Sequence, residues 1–448
     1  MDQSEALISD LSQVRALRVI SRTSVMRYKG SRKSLQEIAG DLDVDAVVEG
    51  SAQRAGGRVR ITARLIHAVN EAPLRSFDYQ RELADVLKLQ SEVARAIADE
   101  IHIQVTAQER ARLVAERRVK PEAHEAYLFG RYHLQRLNEA DLKLAIGHFE
   151  RAIGLDAEYA AAWAGLSTAW LQRGIFGAKS FREVERPARK AAMKAIELDA
   201  ESAEAHSSLA DLKRRYDWDW AGAEQHFRHA IAFDPGFVDA HQYFAYHLSA
   251  LGRHSEAISE MQIAERLDPF SSAVQSHFGR LLYRARNYAE AERRLKLAIE
   301  LDPRSFGAYG RLGDLYEQVG RYTDAIASLK KGDVLRSGGG SGDRAANYTY
   351  RLARVYARMG RRDEALRLLK DLKRRVEPLD FNKYIAATVW TALGDKDEAF
   401  RLLFSAVEER SDLSIYLKED PPFDGLHSDL RWKELLRRMN FPEEQRSR

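Results

Sequence analysis

The chain has 448 residues, 71 Lys and Arg against 67 Asp and Glu, and a formal net charge of +4, too balanced to leave a global nucleic-acid footprint. It contains no cysteine, which excludes disulfides, thiolate metal centres and cysteine nucleophiles. Its length exceeds one core of ~100–200 residues, so two or three units or a repeat array are expected. The acidic start Met1-Asp-Gln-Ser-Glu5 lacks the order of a signal peptide, and no apolar run approaches the ~18 residues that span a bilayer, so a cytoplasmic chain is expected.

Residues 1–82 mix two periods. A helix is expected near Ser4–Gln13, a short strand at Leu17–Ile20, and a helix opened by the capping box Ser34-Leu-Gln-Glu37. Seven basic residues (Arg15, Arg18, Arg22, Arg27, Lys29, Arg32, Lys33) occur with no acid between Asp10 and Glu37. Aromatic interleaving is limited to Tyr28 and no groove-entering helix is defined, so a solvated face is preferred to a phosphate or nucleic-acid site. The alternating runs Asp45–Ala55 and Arg58–Ala68 flank Gly56-Gly57, a hairpin signal, and Leu74–Gln80 is a candidate third strand. From Leu83 a helical pattern returns through Leu87, Val93, Ile97 and Ile101; residues 83–120 are expected to connect this α/β part to what begins at Pro121.

Beyond Pro121 a period of 34 dominates. Ala223, Ala257, Ala291 and Ala325 are spaced by it, and so are Pro235, Pro269 and Pro303. Each alanine opens one helical face: Ala223/Phe227/Ala230, Ala257/Met261/Ala264, Ala291/Leu295/Ala298 and Ala325/Leu329/Gly332. The preceding helix carries an apolar and small pair, Leu209-Ala210, Phe244-Ala245, Phe278-Gly279 or Leu312-Gly313, where two backbones must approach. Gly252, Gly320, Gly360 and Gly394 supply left-handed caps between paired helices, and the Asp-Pro dipeptides at 234–235, 268–269 and 302–303 stop the second helix.

These units resemble the tetratricopeptide repeat family. Ala325 to Ala365 spans 40 residues, and the six extra are assigned to a flexible insert, 337–342; Ala365 to Ala399 returns to 34. Gly130, Ala145, Phe149 and Ala152 mark a looser first unit, and Trp163, Leu166, Trp170, Ala188, Ala192 and Ala195 a second with a long loop through Gly174 and Gly177. About eight units are expected over 121–419, closed by a capping segment at 420–448. The fold class expected is mainly α: a right-handed tetratricopeptide α-solenoid preceded by a small α/β domain.

Such an array lines a concave groove with its first helices. Counting outward from the small residue of each unit places Asp211, Arg214, Gln242, Tyr246, Arg280, Tyr283, Asp314, Glu317, Tyr350 and Arg354 in it. That surface suits a protein partner, an extended peptide or a helix, with Tyr and Arg as anchors. His226-Phe-Arg-His229 sets two rings on one helix face, but without a third ligand in the sequence it reads as a surface pair and no metal is assigned. The glycine run at 338–342 lacks the Gly-Lys-Ser/Thr ending of a phosphate loop, and Asp217 and Asp219 do not converge on a cleft. Trp163, Trp170, Trp218 and Trp220 are expected to fill gaps between helices. No catalytic residue and no cofactor is expected.

Arg18-Val-Ile-Ser-Arg-Thr-Ser24, Glu49-Gly-Ser51 and Arg58-Val-Arg-Ile-Thr-Ala63 resemble the TolB-like domain of bacterial signalling proteins, where it precedes tetratricopeptide repeats. Tyr216-Asp-Trp-Asp-Trp220, Pro422-Phe-Asp424, Leu430-Arg-Trp432 and Leu435-Leu436 also look like that architecture. The resemblance implies a non-enzymatic interaction scaffold or docking module. It equally implies the regulatory portion of an adenylate cyclase or Ser/Thr kinase, or the effector portion of a winged-helix regulator. The family's opening strand is missing before Ser4, so either the start is internal to a longer gene or a strand is donated by another chain.

Overall fold

The computed structural model describes residues 4–55, 58–82, 86–101, 106, 119–176, 181–337, 345–375 and 382–442. The Gly56-Gly57 turn, the insert after Ser337, Gly177 and most of the connection after Ile101 lie outside the described residues. The chain divides into two compact units. One comprises Met1–Leu209, His226–His241 and Arg266–Phe270, the other Ala210–Gln225, Gln242–Glu265 and Ser271–Arg448.

The first unit begins with α1 (Ser4–Ser12), α2 (Arg22–Met26) and α3 (Leu35–Leu42), then β1 (Ala46–Ala55), β2 (Arg58–His67), β3 (Pro73–Glu82) and α4 (Val86–Glu100). The Ser34–Glu37 capping box is present: Ser34 Oγ accepts from Glu37 N at 3.2 Å, and Ser34 N donates to Glu37 Oε2 at 2.7 Å. The strands form an antiparallel sheet in the order β1-β2-β3, with Val48 opposite Leu65 and Ala63 opposite Phe77. Period-two alternation sends Ile61, Ala63, Leu65 and Phe77 into a core with Val93, Ala94 and Ile97 of α4 and Leu11 and Val14. The opposite face is polar and exposed, with Arg60 bonded to Asp78 and the Ser51 and Thr62 hydroxyls 2.9 Å apart.

Two expectations in this unit are corrected. Leu17–Ile20 is not a strand: it has no ladder partner among the described residues, Leu17 N closes a turn onto the Val14 carbonyl, and Leu17 and Val19 pack against the sheet core. Gly174 lies within the helix Ala160–Phe176 and not in a loop, because helical hydrogen bonding tolerates an interior glycine. The basic segment is partly tied down. Arg18 reaches the Leu42 carbonyl and pairs with Asp43, Lys33 pairs with Asp41, and the Arg27 guanidinium lies 5.0 Å from the Phe270 ring centroid.

From Pro121 onward helices follow in pairs: Pro121–Leu134 with Glu139–Leu155, Ala160–Phe176 with Phe181–Leu198, Ser272–Arg284 with Tyr288–Leu301, Phe306–Gln318 with Tyr322–Ser337, Ala345–Arg358 with Arg362–Arg375, and Lys383–Ala392 with Lys396–Glu408. Helices Ala203–Leu212, Trp220–Phe233, Val238–Ala250 and His254–Leu267 occupy the middle. The local code explains the hairpins. Gly252, Gly320, Gly360 and Gly394 have φ of 78 to 80°, the left-handed region that costs other residues energy. Around Gly320, Arg321 N donates to Tyr316 O at 2.8 Å and Gly320 N to Glu317 O at 3.1 Å, satisfying the orphan carbonyls of the ending helix. Close packing needs Gly279 and Gly313 inside the helices. A methyl on Gly313 would lie 2.6 Å from Leu329 Cγ, and one on Gly279 2.6 Å from Leu295 Cγ.

Candidate functional site

The site lies wholly in the second unit, where successive helices present side chains to one run of chain, Asp412–Leu426. That run is two 3₁₀ turns, Asp412–Tyr416 and Pro421–Leu426, separated by Leu417–Asp420; the prolines at 421 and 422 forbid a continuous α-helix. Ile415, Leu417, Phe423 and Leu426 are buried in one cluster with Tyr350, Tyr384 and Val389 from the repeat helices. Apolar burial therefore seats the segment, and charge fixes its register.

The charged contacts centre on Asp420. Its Oδ1 accepts from Arg284 Nε at 2.7 Å, its Oδ2 from the Tyr384 hydroxyl at 2.8 Å, and Arg280 Nη2 stands 3.5 Å away. Burial on its own raises this carboxyl. The Arg284 and Arg280 charges, with hydrogen bonds from Arg284 and Tyr384, outweigh burial and hold it at about 2. Arg286 donates to the Glu419 carbonyl at 2.9 Å and to Asp424 at 2.6 Å, while Glu419 itself is 3.0 Å from His254 Nε2. Arg286 does this from φ +62°, the left-handed position that glycine fills in four other hairpins.

Tyr416 occupies a second cationic cradle. The Arg284 guanidinium lies 3.6 Å from its ring centroid and Tyr246 meets it edge-on at 6.2 Å. Burial raises the phenol, but Arg214, Arg215 and Arg284 more than reverse that and lower it. Arg214 and Arg215 project from a five-residue π-helical stretch, Lys213–Asp217, whose wider turn lets both reach Asp211, Arg215 at 2.7 Å. Nearby, Arg410 stacks 3.8 Å over Trp218 and donates to the Tyr216 carbonyl at 2.6 Å. Trp220 donates to the Met439 carbonyl at 3.0 Å and stacks on Phe441.

The ten residues placed in the groove by counting are all in this unit, and all but Arg280 are buried. Arg354 bonds Glu317 at 2.7 Å and Asp314 at 2.8 Å, and Asp314 lies 3.4 Å from Arg280. Arg280, Asp314, Glu317 and Arg354 thus form one network that ends on Asp420. Gln242 accepts from His277 at 2.7 Å, and Tyr350 and Tyr283 are packed among helices. What counting missed is Arg284, Arg286, Arg215, Tyr384 and the segment itself. Arg284 is one turn from Arg280 on the same helix face, which was a usable signal; nothing local in the sequence assigns Asp420 to it.

The segment Asp412–Leu426 meets side chains from the helices at 238–250, 272–284 and 383–392 as well as the last hairpin. A separate convergence of ligating side chains, His206, His226 and His229, lies in the first unit. No helix among the described residues is long and apolar enough to cross a membrane.

Residues 278–339 and residues 349–380 each match a tetratricopeptide repeat family. The chain is 34% identical over 164 residues to "Putative adenylate cyclase 3" of Rhizobium meliloti (strain 1021), which is 37% of this chain and 28% of that protein's length. Among solved structures it is similar to Pseudomonas aeruginosa pilF, at 24% identity, 51% of this chain, 98% of that chain and a TM-score of 0.36. It is also similar to a thermophilic TPR protein of Thermus thermophilus, at 16% identity, 43% of this chain, 98% of that chain and a TM-score of 0.37. The chain carries tetratricopeptide repeats and, toward its N-terminus, a small three-stranded sheet.

Proposed function

We propose that this chain is a non-catalytic protein-interaction scaffold of bacterial signal transduction, with a TolB-like domain at 1–82, a connection at 83–120, a right-handed tetratricopeptide solenoid at 121–419 and a terminal segment at 420–448. The repeat face binds an acidic, aromatic peptide segment of a partner protein. One observation carries this reading: the face already holds such a segment, the chain's own Asp412–Leu426, through Arg284, Arg280 and Tyr384 on Asp420 and through Arg284 on Tyr416. The resident segment supports this choice of partner chemistry, and in this reading it competes with the partner for the same arginines.

The test uses a fluorescent peptide of residues 412–426 added to the full chain. The chain carrying Asp420→Ala, whose own segment is loosened, binds the peptide at least about tenfold more tightly than wild type, a gain of ~1.4 kcal/mol. Adding Arg284→Ala removes the gain. An Asp420→Ala chain with retained helical circular dichroism and no saturable binding contradicts the reading.

A second reading makes the chain the regulatory portion of an adenylate cyclase, which the 34% identity to the Rhizobium meliloti protein supports. Reading the genomic DNA ahead of Met1 tests it: an in-frame cyclase domain favours it, and an upstream stop codon rejects it in favour of the free-standing scaffold.

A further inference from the structure

Within the first unit, the helix pair flanking the π-helical stretch brings three imidazoles together. His206 is on Ala203–Leu212, and His226 and His229 are one turn apart on Trp220–Phe233. One ligating nitrogen from each lies within 4.8 Å of the other two. The ring centroids are 5.1 Å apart for His206 and His226, 5.4 Å for His206 and His229, and 6.1 Å for His226 and His229, with His229 edge-on to both.

The tautomer of His206 is set by its surroundings. Its Nε2 is 3.0 Å from the Ala200 carbonyl, which only accepts, so Nε2 carries the proton and the Nδ1 lone pair points inward. That Nδ1 is 2.8 Å from Nδ1 of His226. A ring nitrogen backed by a carbonyl on its far side is the usual second shell of a metal-binding histidine. His206 is buried whereas His226 and His229 are half-buried, so the triad has a rigid floor and a side open to solvent.

We propose that His206, His226 and His229 form a binding site for a borderline divalent cation of the zinc class, held by three neutral imidazoles with the fourth position left to water. Zinc-to-nitrogen bonds of ~2.0–2.1 Å at tetrahedral angles separate ligand nitrogens by ~3.3 Å, which rotations of the side chains reach from the present spread. The proton now between the two Nδ1 atoms leaves the His226 Nδ1 for its other nitrogen or for solvent when the ion binds. Imidazole donors favour Zn²⁺, Ni²⁺, Co²⁺ and Cu²⁺ over Mg²⁺ and Ca²⁺, which take oxygen. Bound there, the ion ties the two helices across the intervening turn, and three protein ligands with one open position is also the ligand count of catalytic zinc. The site stands independently of the scaffold reading, since its three ligands belong to the first unit and the charged segment to the second.

Calorimetry of Zn²⁺ into untagged, chelator-washed full-length protein tests it, with Co²⁺ visible absorption as a coordination readout. One ion per chain is expected, together with the intense bands of tetrahedral Co²⁺ and no response to Mg²⁺. His229→Ala, which leaves the buried His206 in place, weakens Zn²⁺ binding by at least ~10- to 100-fold. His148→Ala, from the stacked His133–His148 pair elsewhere in the first unit, leaves it unchanged. His206→Asn retains a side chain of similar reach and loses the site. Absence of saturable binding, or equal affinity in wild type and His229→Ala, overturns the proposal.

Discussion

Two faces of this protein carry polar side chains in regular array, and their fates are opposite. On the sheet, Arg60 and Asp78 meet across neighbouring strands, both more than half exposed. On the repeats, Arg284 and Asp420 meet at 2.7 Å with 2% and 5% of their side chains exposed. Residue type does not separate the two; a covering element does. The Arg60–Asp78 pair stays open to water, which screens it, and such pairs contribute little. Asp412–Leu426 covers the other, so its charges are committed to each other and removal of one strands the rest.

The comparison breaks most visibly at Arg284. Arg284→Ala leaves Asp420 buried beside fewer cations and removes the cover of Tyr416, and is expected to cost ~3–5 kcal/mol in urea denaturation. Next comes Gly313→Ala, which drives a methyl into Leu329 and is expected to cost ~1–3 kcal/mol by the same measurement. It tests the packing of the repeats without touching the charges.

Acid sharpens the comparison further. The Asp420 carboxyl is held at about 2 in the fold and titrates near ~3.9 when unfolded. Its contribution is therefore complete above pH ~4 and is lost as pH falls toward 2, because the unfolded chain then binds the extra proton. The advantage of wild type over Asp420→Asn should shrink by on the order of 2 kcal/mol across that window. Arg286→Gly follows: it relieves a left-handed residue while deleting the contacts to Glu419 and Asp424, so the unfolding midpoint should barely move while amides of 417–426 exchange faster. Smallest is Arg60→Ala, which should leave the midpoint within scatter.

What the sequence made legible was whatever short-range chemistry decides. The 34-residue spacing, the cap glycines at 252, 320, 360 and 394, the Ser34–Glu37 box and the three alternating strands all act within a few residues of themselves. Leu17–Ile20 had the alternation of a strand but pairs with neither outer edge of the β1-β2-β3 sheet, and local pattern cannot reveal whether a segment is brought to an edge. The groove residues were placed on one face by counting, yet their state was hidden because Arg284 and Asp420 are 136 positions apart. His226 and His229 were visible as a pair, and His206 was not, since it lies 20 positions before His226 across the π-helical stretch.

A double-mutant cycle on Arg284 and Asp420, run beside one on Arg60 and Asp78, is the most direct trial of the claim that the repeat face grips this segment through charge. A coupling above ~1.5 kcal/mol for the first pair is expected of a close, desolvated charge pair, with none resolved for the second. Additive effects at Arg284 and Asp420 would mean that the segment is held by apolar packing alone and that the arginines recognise nothing.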